Sequence, residues 1–360
     1  MVNRFFSNFR LLLNLAKRKP VFLLRSVWGG LCTIILRQNR LRFVDVAVDY
    51  ACNMKCSHCS AVTLVQTQAK QLTLDDYSRL ADQLCKEGCL IFHFTGGEPL
   101  LRKDLEDIIR TFKPKRCGIS IQSNGILASR VRLELLRKAG ADIFCVSIDS
   151  GIPEEHDTFR NYPGAFNLAI EALDNARDLG YQTMISTCLS HANIDSEGFL
   201  KAVALAEERG IWHSINLAVP AGNWRECNEF MLTDDDQHKW REFVRRHPLC
   251  HIDLQHNWKA VGCGTVKEKL YLTAYGDIMP CPFIQVSLGS LREESIKTIR
   301  KRAMLYPKFA KYWPQCLAAE DREFIESNPC YQHNSDSVMP MPWKSVPELY
   351  KYMGGGANGG

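Results

Sequence analysis

From residue 43 onward, short apolar runs alternate with amphipathic stretches at a spacing of about 30 residues, the size of a βα unit. The apolar runs predict six strands, at Phe43–Tyr50, Cys89–Thr95, Gly118–Gln122, Ile143–Ile148, Gln182–Cys188 and Trp212–Ala218. The amphipathic stretches predict six helices, at Thr73–Glu87, Lys103–Thr111, Arg130–Ala139, Phe166–Leu179, Ser196–Glu208 and Asp234–Arg246. Six consecutive βα units predict an α/β protein with a parallel, curved sheet, outer helices and ligands at the carboxyl ends of the strands.

Residues 4 to 42 follow a different pattern, in which bulky apolar side chains are interleaved with Lys and Arg. The longest uncharged run, Ser26–Leu36, has 11 residues, whereas a membrane span needs about 20. The pattern predicts two short amphipathic helices separated near Pro20. They either lie on a membrane with their cations toward lipid phosphates, or cap the body with their apolar faces. A mitochondrial transit peptide is also arginine-rich and acid-poor, so the pattern alone leaves these alternatives open.

The charge of the chain is unevenly distributed. The formal net charge is +5, but the first 44 residues hold nine of the 45 basic side chains and none of the 40 acidic ones. The remaining chain therefore carries 36 basic against 40 acidic side chains. Because the body has no basic excess, nucleic acid is not an expected partner. The composition, 46% hydrophobic and 24% charged, is that of a soluble globular protein.

The chain has 15 cysteines, and it lacks the pattern of a secretory signal peptide. A protein of 360 residues does not need disulfides to fold, so reduced thiols that ligate metal in the cytoplasm are expected. Most cysteines inside the periodic segments are interpreted as small packing residues, namely Cys32, Cys85, Cys89, Cys117, Cys145 and Cys188. Cys227 and Cys250 lie on less regular chain and are candidates for substitute ligands.

Two motifs fall at predicted strand ends. Cys52, Cys56 and Cys59 follow the first strand with C-x3-C-x2-C spacing. Three thiolates can hold three irons of a [4Fe–4S] cluster and leave the fourth iron open; the alternative is a zinc site completed by His58. Gly96-Gly97-Glu98-Pro99 follows the second strand, and two glycines there let a ligand approach the backbone.

The order and spacing of these motifs over residues 43 to 247 resemble the radical S-adenosylmethionine (SAM) superfamily, whose fold is a partial (βα)6 TIM-like barrel. The resemblance implies that the open iron binds the amino and carboxylate groups of SAM. It also implies a set of cofactor-binding residues, namely Gly96, Gly97, Glu98, Ser123, Asn124, Ser147, Asp149, Arg160 and His58. Among these, Gly96–Glu98 would receive the amino group, Ser147 would contact the ribose and Arg160 would pair with the carboxylate. His58 stands where the family usually has a larger aromatic residue near the adenine.

A second group of cysteines lies beyond the predicted barrel. Cys263 and Cys281 flank Gly276 with C-x12-G-x4-C spacing, and predicted strands at Lys269–Ala274 and Asp277–Met279 form a hairpin between them. Cys316 and Cys330 follow. The arrangement resembles the shortened SPASM module called a twitch domain. That resemblance implies an auxiliary [4Fe–4S] cluster on these four thiolates, although the second pair departs from the usual C-x2-C spacing.

The resemblance implies an enzyme, of oxidoreductase or transferase type, that reductively cleaves SAM to a 5′-deoxyadenosyl radical and abstracts hydrogen from a substrate carbon. No catalytic side chain beyond the cofactor ligands is identified. The expected divisions are a leader (1–42), the barrel (43–248), the auxiliary region (249–335) and a partly disordered tail (336–360).

The expected partners are a reductant, such as flavodoxin or ferredoxin, and a small-molecule or lipid-like substrate. The basic leader favours a membrane-associated substrate and a location in the cytoplasm, peripheral on the inner face of the membrane. The alternatives are a ribosomally made peptide, a sugar or aminocyclitol, and a non-catalytic iron–sulfur protein of electron transfer.

Overall fold

All six predicted strands form and lie side by side in chain order. The computed structural model describes residues 18–252, 257, 261–332 and 338–354. The strands are β1 (Phe43–Asp49), β2 (Ile91–Gly96), β3 (Gly118–Ser123), β4 (Ile143–Ser147), β5 (Gln182–Leu189), β6 (Trp212–Leu217), β7 (Cys250–His251), β8 (Lys269–Leu272), β9 (Asp277–Met279), β10 (Val286–Ser287), β11 (Gly289–Ser290) and β12 (Met341–Pro342).

The helices lie between these strands and at both ends of the described chain. They are α1 (Pro20–Ile34), α2 (Leu74–Lys86), α3 (Leu105–Thr111), α4 (Arg130–Ala139), α5 (Pro153–Arg160), α6 (Ala165–Asp178), α7 (Glu197–Arg209), α8 (Asp234–Arg246), α9 (Ile296–Ala303), α10 (Pro307–Ala310), α11 (Arg322–Ser327) and α12 (Pro347–Met353). All six predicted barrel helices agree with the structure to within two residues at each end. The largest difference is at α3, which begins two residues later than predicted. The α5 helix was not predicted.

Ten strands form one sheet in the order β11-β9-β8-β1-β2-β3-β4-β5-β6-β7. From β8 through β7 all neighbouring strands are parallel, whereas β8–β9 and β9–β11 are antiparallel. The predicted hairpin is thus present as β8–β9, and β8 pairs with β1 of the barrel. The boundary between barrel and auxiliary region was expected at residue 249, but β7 and β8, which both follow it, join the barrel sheet. β7 pairs with β6 on one side of the barrel strands, and β8 pairs with β1 on the other.

Local sequence signals explain where the barrel helices begin and end. The hydroxyls of Thr73, Ser129, Ser196 and Thr233 each accept a hydrogen bond from a backbone N–H of the following first turn, which stabilises a helix N-terminus. The N-cap of α8 is Thr233. The α4 and α7 helices end on glycines in the left-handed conformation, Gly140 and Gly210, where a glycine is favoured because it has no Cβ.

The α1 helix lies across the amino-terminal edge of the barrel. Its Lys19 contacts the Asp142 carboxylate and donates to the Cys117 carbonyl (3.0 Å); both partners directly precede strands. The buried face of α1 consists of Phe22, Ser26, Gly29, Gly30, Cys32 and Thr33. These mostly small residues let the helix approach the body closely.

The opposite face of α1 is apolar and exposed. Its large side chains are Val21, Leu23, Leu24, Val27, Trp28, Leu31 and Ile34, and Ile35 and Leu36 continue the exposed stretch. The interpretation in which the apolar face caps the body is therefore wrong for α1. The leader helix expected before Pro20 lies outside the described residues. Among the helices that are described, none has the length and hydropathy to span a membrane.

Residues 338–354 are packed onto the body, although they belong to the stretch expected to be partly disordered. β12 pairs with β10, and Met339, Leu349 and Met353 are buried in the core. The ordered structure therefore extends to Gly354, and the glycine-rich end 355–360 lies outside the described residues.

Candidate functional site

A cavity of about 420 Å³ occupies the inside of the barrel. Its end at the strand carboxyl termini is lined by most of the predicted cofactor residues. These are Cys52, Cys56, His58, Cys59, Gly96, Gly97, Glu98, Ser123, Asn124, Ser147 and Arg160. The parallel βα architecture brings them together because they end or follow four neighbouring strands, β1 to β4.

The cysteine loop is held by one hydrogen bond within the loop and by hydrogen bonds from two neighbouring segments. The Met54 N–H donates to the Cys52 Sγ (3.4 Å), and the Asn223 amide donates to the Cys56 carbonyl (2.9 Å). The Asn124 amide donates to Asn53 (2.7 Å), which ties the loop to the end of β3. A loop with three thiols facing a cavity fits the donor set of a [4Fe–4S] cluster with one open iron.

Gly96 and Gly97 are required by contact with the main chain rather than by space for a ligand. A Cβ on Gly96 would lie 2.0 Å from the Asp49 carbonyl oxygen, and its φ of +126° is strained for other residues. A Cβ on Gly97 would lie 2.2 Å from the Ala51 carbonyl oxygen. The two glycines let β2 and the start of the cysteine loop pack directly against each other.

The Glu98 carboxylate is fully buried and accepts three hydrogen bonds. The Leu100 N–H (3.0 Å), the Ser123 hydroxyl (2.9 Å) and the Asn124 N–H (2.8 Å) donate to it. Burial raises the pKa of Glu98 to about 6 despite these donors. The carboxylate therefore fixes the turn after β3, and the segment Gly96–Glu98 owes its shape to this connection.

Arg160 lies beneath the cysteine loop on the last turn of α5. Its Nε donates to the Asp149 carboxylate (2.6 Å), and its Nη1 is 3.9 Å from the Cys56 Sγ. Burial alone would raise the pKa of Asp149, but the Arg160 cation holds it below its ordinary value. The Cys188 N–H also donates to Asp149 (2.9 Å).

The predicted role of Asp149 needs a correction. Asp149 does not line the cavity; it is 3% exposed and lies behind Arg160. Because it holds the guanidinium in place, Asp149 positions a residue of the site rather than facing the cofactor space itself.

Replacing Arg160 by methionine is expected to lower the free energy of unfolding by about 3–5 kcal/mol, because it leaves the buried Asp149 carboxylate without its cation. Thermal unfolding of the anaerobically purified variant measures this loss. Arg130→Met, at an exposed arginine whose ion pairs are long, is the control and is expected to change stability by less than about 1 kcal/mol. Equal stability of the two variants would contradict the assigned role of the ion pair.

His58 stacks on Phe159, with ring centroids 4.4 Å apart and planes within 14°, and it is tilted against Trp224. Among the residues that the structure describes, its buried Nδ1 has no hydrogen-bond partner. Within the described ranges, no three His, Cys, Asp or Glu side chains converge closely enough for a single metal ion. A cubane holds its thiolates further apart than one ion does, because iron and sulfide lie between them. The position of His58 therefore gives the zinc alternative no support.

The four predicted auxiliary cysteines lie near the buried hydroxyl of Tyr331. Burial raises the pKa of Tyr331, and the thiols of Cys330, Cys281, Cys316 and Cys263 raise it further, so all four lie near this hydroxyl. Within the described part of the chain, the Tyr331 hydroxyl has no hydrogen-bond partner.

Backbone N–H groups point at three of these thiols. Those of Phe283 and Ile284 lower the pKa of the Cys281 thiol, that of Ala318 lowers the pKa of Cys316 and that of Gln285 lowers the pKa of Cys330, in each case against the effect of burial. Such donors stabilise thiolates in cluster sites, so the donor set fits an auxiliary cluster. The substitute candidates lie elsewhere: Cys250 contacts the His213 ring and Cys227 donates to the Asn223 carbonyl.

The inner wall of the barrel contains polar residues that the sequence analysis did not identify. Asp45, His93 and Ser120 face one another across adjacent strands, and His93 Nδ1 is 2.8 Å from the Ser120 hydroxyl. All three line the cavity. The sequence contained a signal for these residues, because polar side chains interrupt the apolar strands at alternate positions. Residues two apart in a strand share one face of a sheet, so these side chains lie on the inner face.

Comparisons with known proteins agree with this site. The family model described as the radical SAM superfamily matches residues 48–203, and a second, described as an iron–sulfur cluster-binding domain and named SPASM, matches residues 263–321. The first range contains the cysteine loop, Glu98 and Arg160. The second contains Cys263, Cys281 and Cys316 but ends before Cys330.

Two relatives illustrate the similarity of the sequence. The AdoMet-dependent heme synthase of Methanosarcina barkeri is 26% identical, over 76% of this chain and 86% of that protein. The subtilosin biosynthesis protein AlbA of Bacillus subtilis is 22% identical, over 73% of this chain and 62% of that protein.

Among solved structures, native anSMEcpe with bound AdoMet aligns with a TM-score of 0.57 at 16% identity, over 86% of this chain and 96% of that one. Streptococcus suis SuiB bound to precursor peptide SuiA aligns with a TM-score of 0.58 at 14% identity, over 76% of this chain and 66% of that one. These likenesses concern the fold.

The fold and the two cysteine sites thus define an iron–sulfur enzyme that uses SAM. The chain belongs to the radical SAM superfamily and carries a C-terminal SPASM region.

Proposed function

We propose that this enzyme abstracts a hydrogen atom from a small, lipid-like substrate that reaches the barrel from a membrane surface. When bound, the reduced cluster supplies the electron that cleaves SAM to a 5′-deoxyadenosyl radical. Cys52, Cys56 and Cys59 would hold the cluster. The backbone of Gly96–Glu98 would receive the amino group of SAM, and Arg160, fixed by Asp149, would pair with its carboxylate.

The observation that carries this proposal is the length of the cavity. Its lining includes the first residue of five strands, namely Phe43, Ile91, Ile143, Trp212 and Lys269. A six-residue strand such as β2 rises about 16 Å from end to end. The cavity therefore runs from the cysteine loop to the amino-terminal barrel edge, where α1 lies, and four of these five residues are apolar.

A long apolar molecule fits this space with its reacting carbon near the cysteine loop and its tail at the lower end. The exposed apolar face of α1 lies on the same edge of the barrel. In addition, the first 44 residues carry nine cations and no anion. An apolar helix face on a basic segment binds the interface of an anionic membrane, so the membrane would deliver the substrate to the lower end of the cavity.

The SPASM region adjoins the same cavity. Pro282 and Phe283, which follow Cys281, line it. An auxiliary cluster held by Cys263, Cys281, Cys316 and Cys330 would therefore supply one-electron redox chemistry beside the substrate.

A porphyrin is the second candidate substrate. Two relatives from Methanosarcina barkeri are named for porphyrin products, a heme synthase and an Fe-coproporphyrin III synthase; the second is 32% identical over 143 residues. Porphyrins are apolar in the plane and carry carboxylates, and Arg42 and Lys269 at the lower end of the cavity would suit those carboxylates.

A peptide substrate, suggested by AlbA and by SuiB bound to its precursor peptide, is the third candidate. The volume of about 420 Å³ favours a small molecule.

The test is a substrate survey with anaerobically reconstituted enzyme, SAM and dithionite. Membrane lipid extract, a porphyrin mixture and a peptide pool are supplied separately, and SAM-dependent mass changes and 5′-deoxyadenosine are measured. The proposal expects new product masses in the lipid extract. Products found only among porphyrins or only among peptides would replace it with the corresponding candidate.

A charged side chain in the lower wall tests the placement of the substrate. Ile91→Asp is expected to reduce product formation by tenfold or more through a higher KM, since burying an unpaired carboxylate against an apolar substrate is unfavourable. Formation of 5′-deoxyadenosine without substrate should remain, because Ile91 lies at the end of β2 opposite Gly96. Leu200→Asp, at an exposed leucine of α7, is the control. An unchanged KM in Ile91→Asp would place the substrate elsewhere.

A further inference from the structure

Two thiols assigned to core packing touch each other beneath α1. Cys85 in the last turn of α2 and Cys117 directly before β3 have their Sγ atoms 3.5 Å apart. Cys117 is buried, whereas Cys85 keeps part of its surface exposed. A disulfide requires about 2.05 Å between the sulfurs, so small side-chain rotations would bring this pair to bonding distance.

A cation from the leader is fixed against these thiols. Arg25 of α1 donates from Nη1 to the Cys117 Sγ (2.8 Å) and to the Arg116 carbonyl (3.0 Å). Its Nη2 donates to the carbonyls of Cys85 (3.2 Å) and Cys89 (2.8 Å). The guanidinium therefore cannot move away from the pair without loss of several hydrogen bonds.

These contacts change the acidity of the two thiols in opposite directions. The Cys117 thiol donates a hydrogen bond to Cys85 and lowers the pKa of Cys85, and the Arg25 cation lowers it further against the effect of burial. The same hydrogen bond, with burial, raises the pKa of Cys117. The thiolate, which is the nucleophile in disulfide exchange, thus lies on the more exposed cysteine.

We propose that Cys85 and Cys117 are a redox-active dithiol that a low-molecular-weight disulfide oxidises to an intramolecular disulfide. The Cys85 thiolate attacks the small disulfide, forms a mixed disulfide and releases one small thiolate. Cys117 then loses its proton and attacks the Cys85 sulfur, which forms the Cys85–Cys117 bond and releases the second small thiol. The two protein thiols lose two electrons in total, and the small disulfide gains them.

The neighbouring cysteines lack this combination of features. Cys89 is fully buried and its pKa is raised by burial. Cys145 is fully buried, and burial is the cause of its raised pKa. Oxidation of the pair also removes the sulfur anion beside Arg25, and therefore one of the interactions that hold α1 on the barrel.

The experiment uses the anaerobically purified full chain with its clusters. It is incubated with oxidised glutathione at pH 7, its remaining thiols are alkylated in denaturant, and it is digested with trypsin without reductant. Cleavage after Arg79, Lys86, Arg102, Arg116 and Arg130 isolates each thiol: Cys85 in peptide 80–86, Cys89 in 87–102 and Cys117 in 117–130. The proposal expects peptides 80–86 and 117–130 to be joined by a disulfide.

Variants separate the two steps. Cys117→Ser is expected to trap glutathione on Cys85. Arg25→Gln is expected to slow the first step at least threefold at pH 7 but much less at pH 9, where the thiolate forms without help; a structural role alone would not give this pH dependence. In the unaltered protein, the rate of this step should rise with a midpoint below the value of about 8.5 for a free cysteine. Cys145→Ser is the control and should leave the linkage unchanged.

Three results would overturn the proposal. The first is glutathione that persists on Cys85 in the unaltered protein, and the second is linkage of peptide 80–86 to 87–102. The third is a reaction of Cys85 no faster than that of Cys145, which peptide 139–160 carries.

Discussion

Replacement of Cys56 by alanine is expected to reduce the formation of 5′-deoxyadenosine from SAM by about 100-fold or more. Loss of a residue that only supports a metal ligand costs about 10–100-fold, so loss of a ligand itself should exceed that range. Cys56 is 8% exposed, and Arg160, 3.9 Å from its sulfur, lowers the pKa of this thiol against the effect of burial. The substitution therefore also removes an anionic neighbour of the group expected to hold the SAM carboxylate.

Iron analysis separates loss of the cluster from loss of the fold. The unaltered protein should hold about eight irons per chain, four in each of two clusters, and Cys56→Ala about four. Cys32→Ala, at a buried cysteine of α1, makes the same chemical change away from the site and should keep both the iron and the activity. Eight irons with full activity in Cys56→Ala would contradict the assignment of this cysteine. About four irons in the unaltered protein would instead contradict the auxiliary site.

The strands and the cysteine loop could be predicted because their signals are local. Each strand from β1 to β6 is an apolar run bounded by turn residues, and the spacing of Cys52, Cys56 and Cys59 limits which metal group they can hold. The resemblance to the radical SAM superfamily, and not a local signal, placed Glu98 and Arg160 at the site. Their partners were not predictable, since the hydrogen bonds of Glu98 to Ser123 and Asn124 form between segments distant in sequence.

The larger differences between the predicted and the observed structure come from contacts between segments that are distant in sequence. β8 has four residues, too few to indicate a partner, and its pairing with β1 spans more than 200 residues of the chain. The auxiliary cysteines lie near Tyr331 because the segment 329–331 returns to the chain that follows β9, which the spacing of Cys316 and Cys330 does not indicate. The motif placed Asp149 in the region of the site, but it did not indicate that Asp149 lies behind Arg160, away from the cavity.

The orientation of α1 is a different case, because its sequence contained the signal. Ser26, Gly29, Gly30 and Thr33 form a small-residue face, and Leu24, Val27, Trp28 and Leu31 form a bulky one. Small residues allow the close approach that helix packing on a body requires, so the bulky face is the one left outside. Polarity alone was ambiguous, because both faces are largely uncharged.

This orientation predicts the outcome of membrane flotation. The unaltered protein is expected to float with vesicles that contain anionic lipid, and Leu24→Glu/Trp28→Glu is expected to stay at the bottom of the gradient. Leu24 is 69% and Trp28 56% exposed, so neither substitution opens the core. Each lost apolar side chain removes about 1.5–3 kcal/mol of burial, so the two together should weaken binding by about 100-fold or more.

The matched control places the same two charges on another helix. Val131 and Leu135 are exposed apolar residues four apart on α4, so Val131→Glu/Leu135→Glu changes the net charge equally and should still float. Substitution is preferable to removal of residues 1–42, because removal would uncover the amino-terminal edge of the barrel and leave the buried Asp142 without Lys19. Two results would contradict a membrane role of the α1 face. In the first, the Leu24→Glu/Trp28→Glu protein floats; in the second, neither this variant nor Val131→Glu/Leu135→Glu floats. Failure of the unaltered protein to float would remove the membrane from the proposed route of the substrate, while the assignment of the cysteine loop would be unaffected.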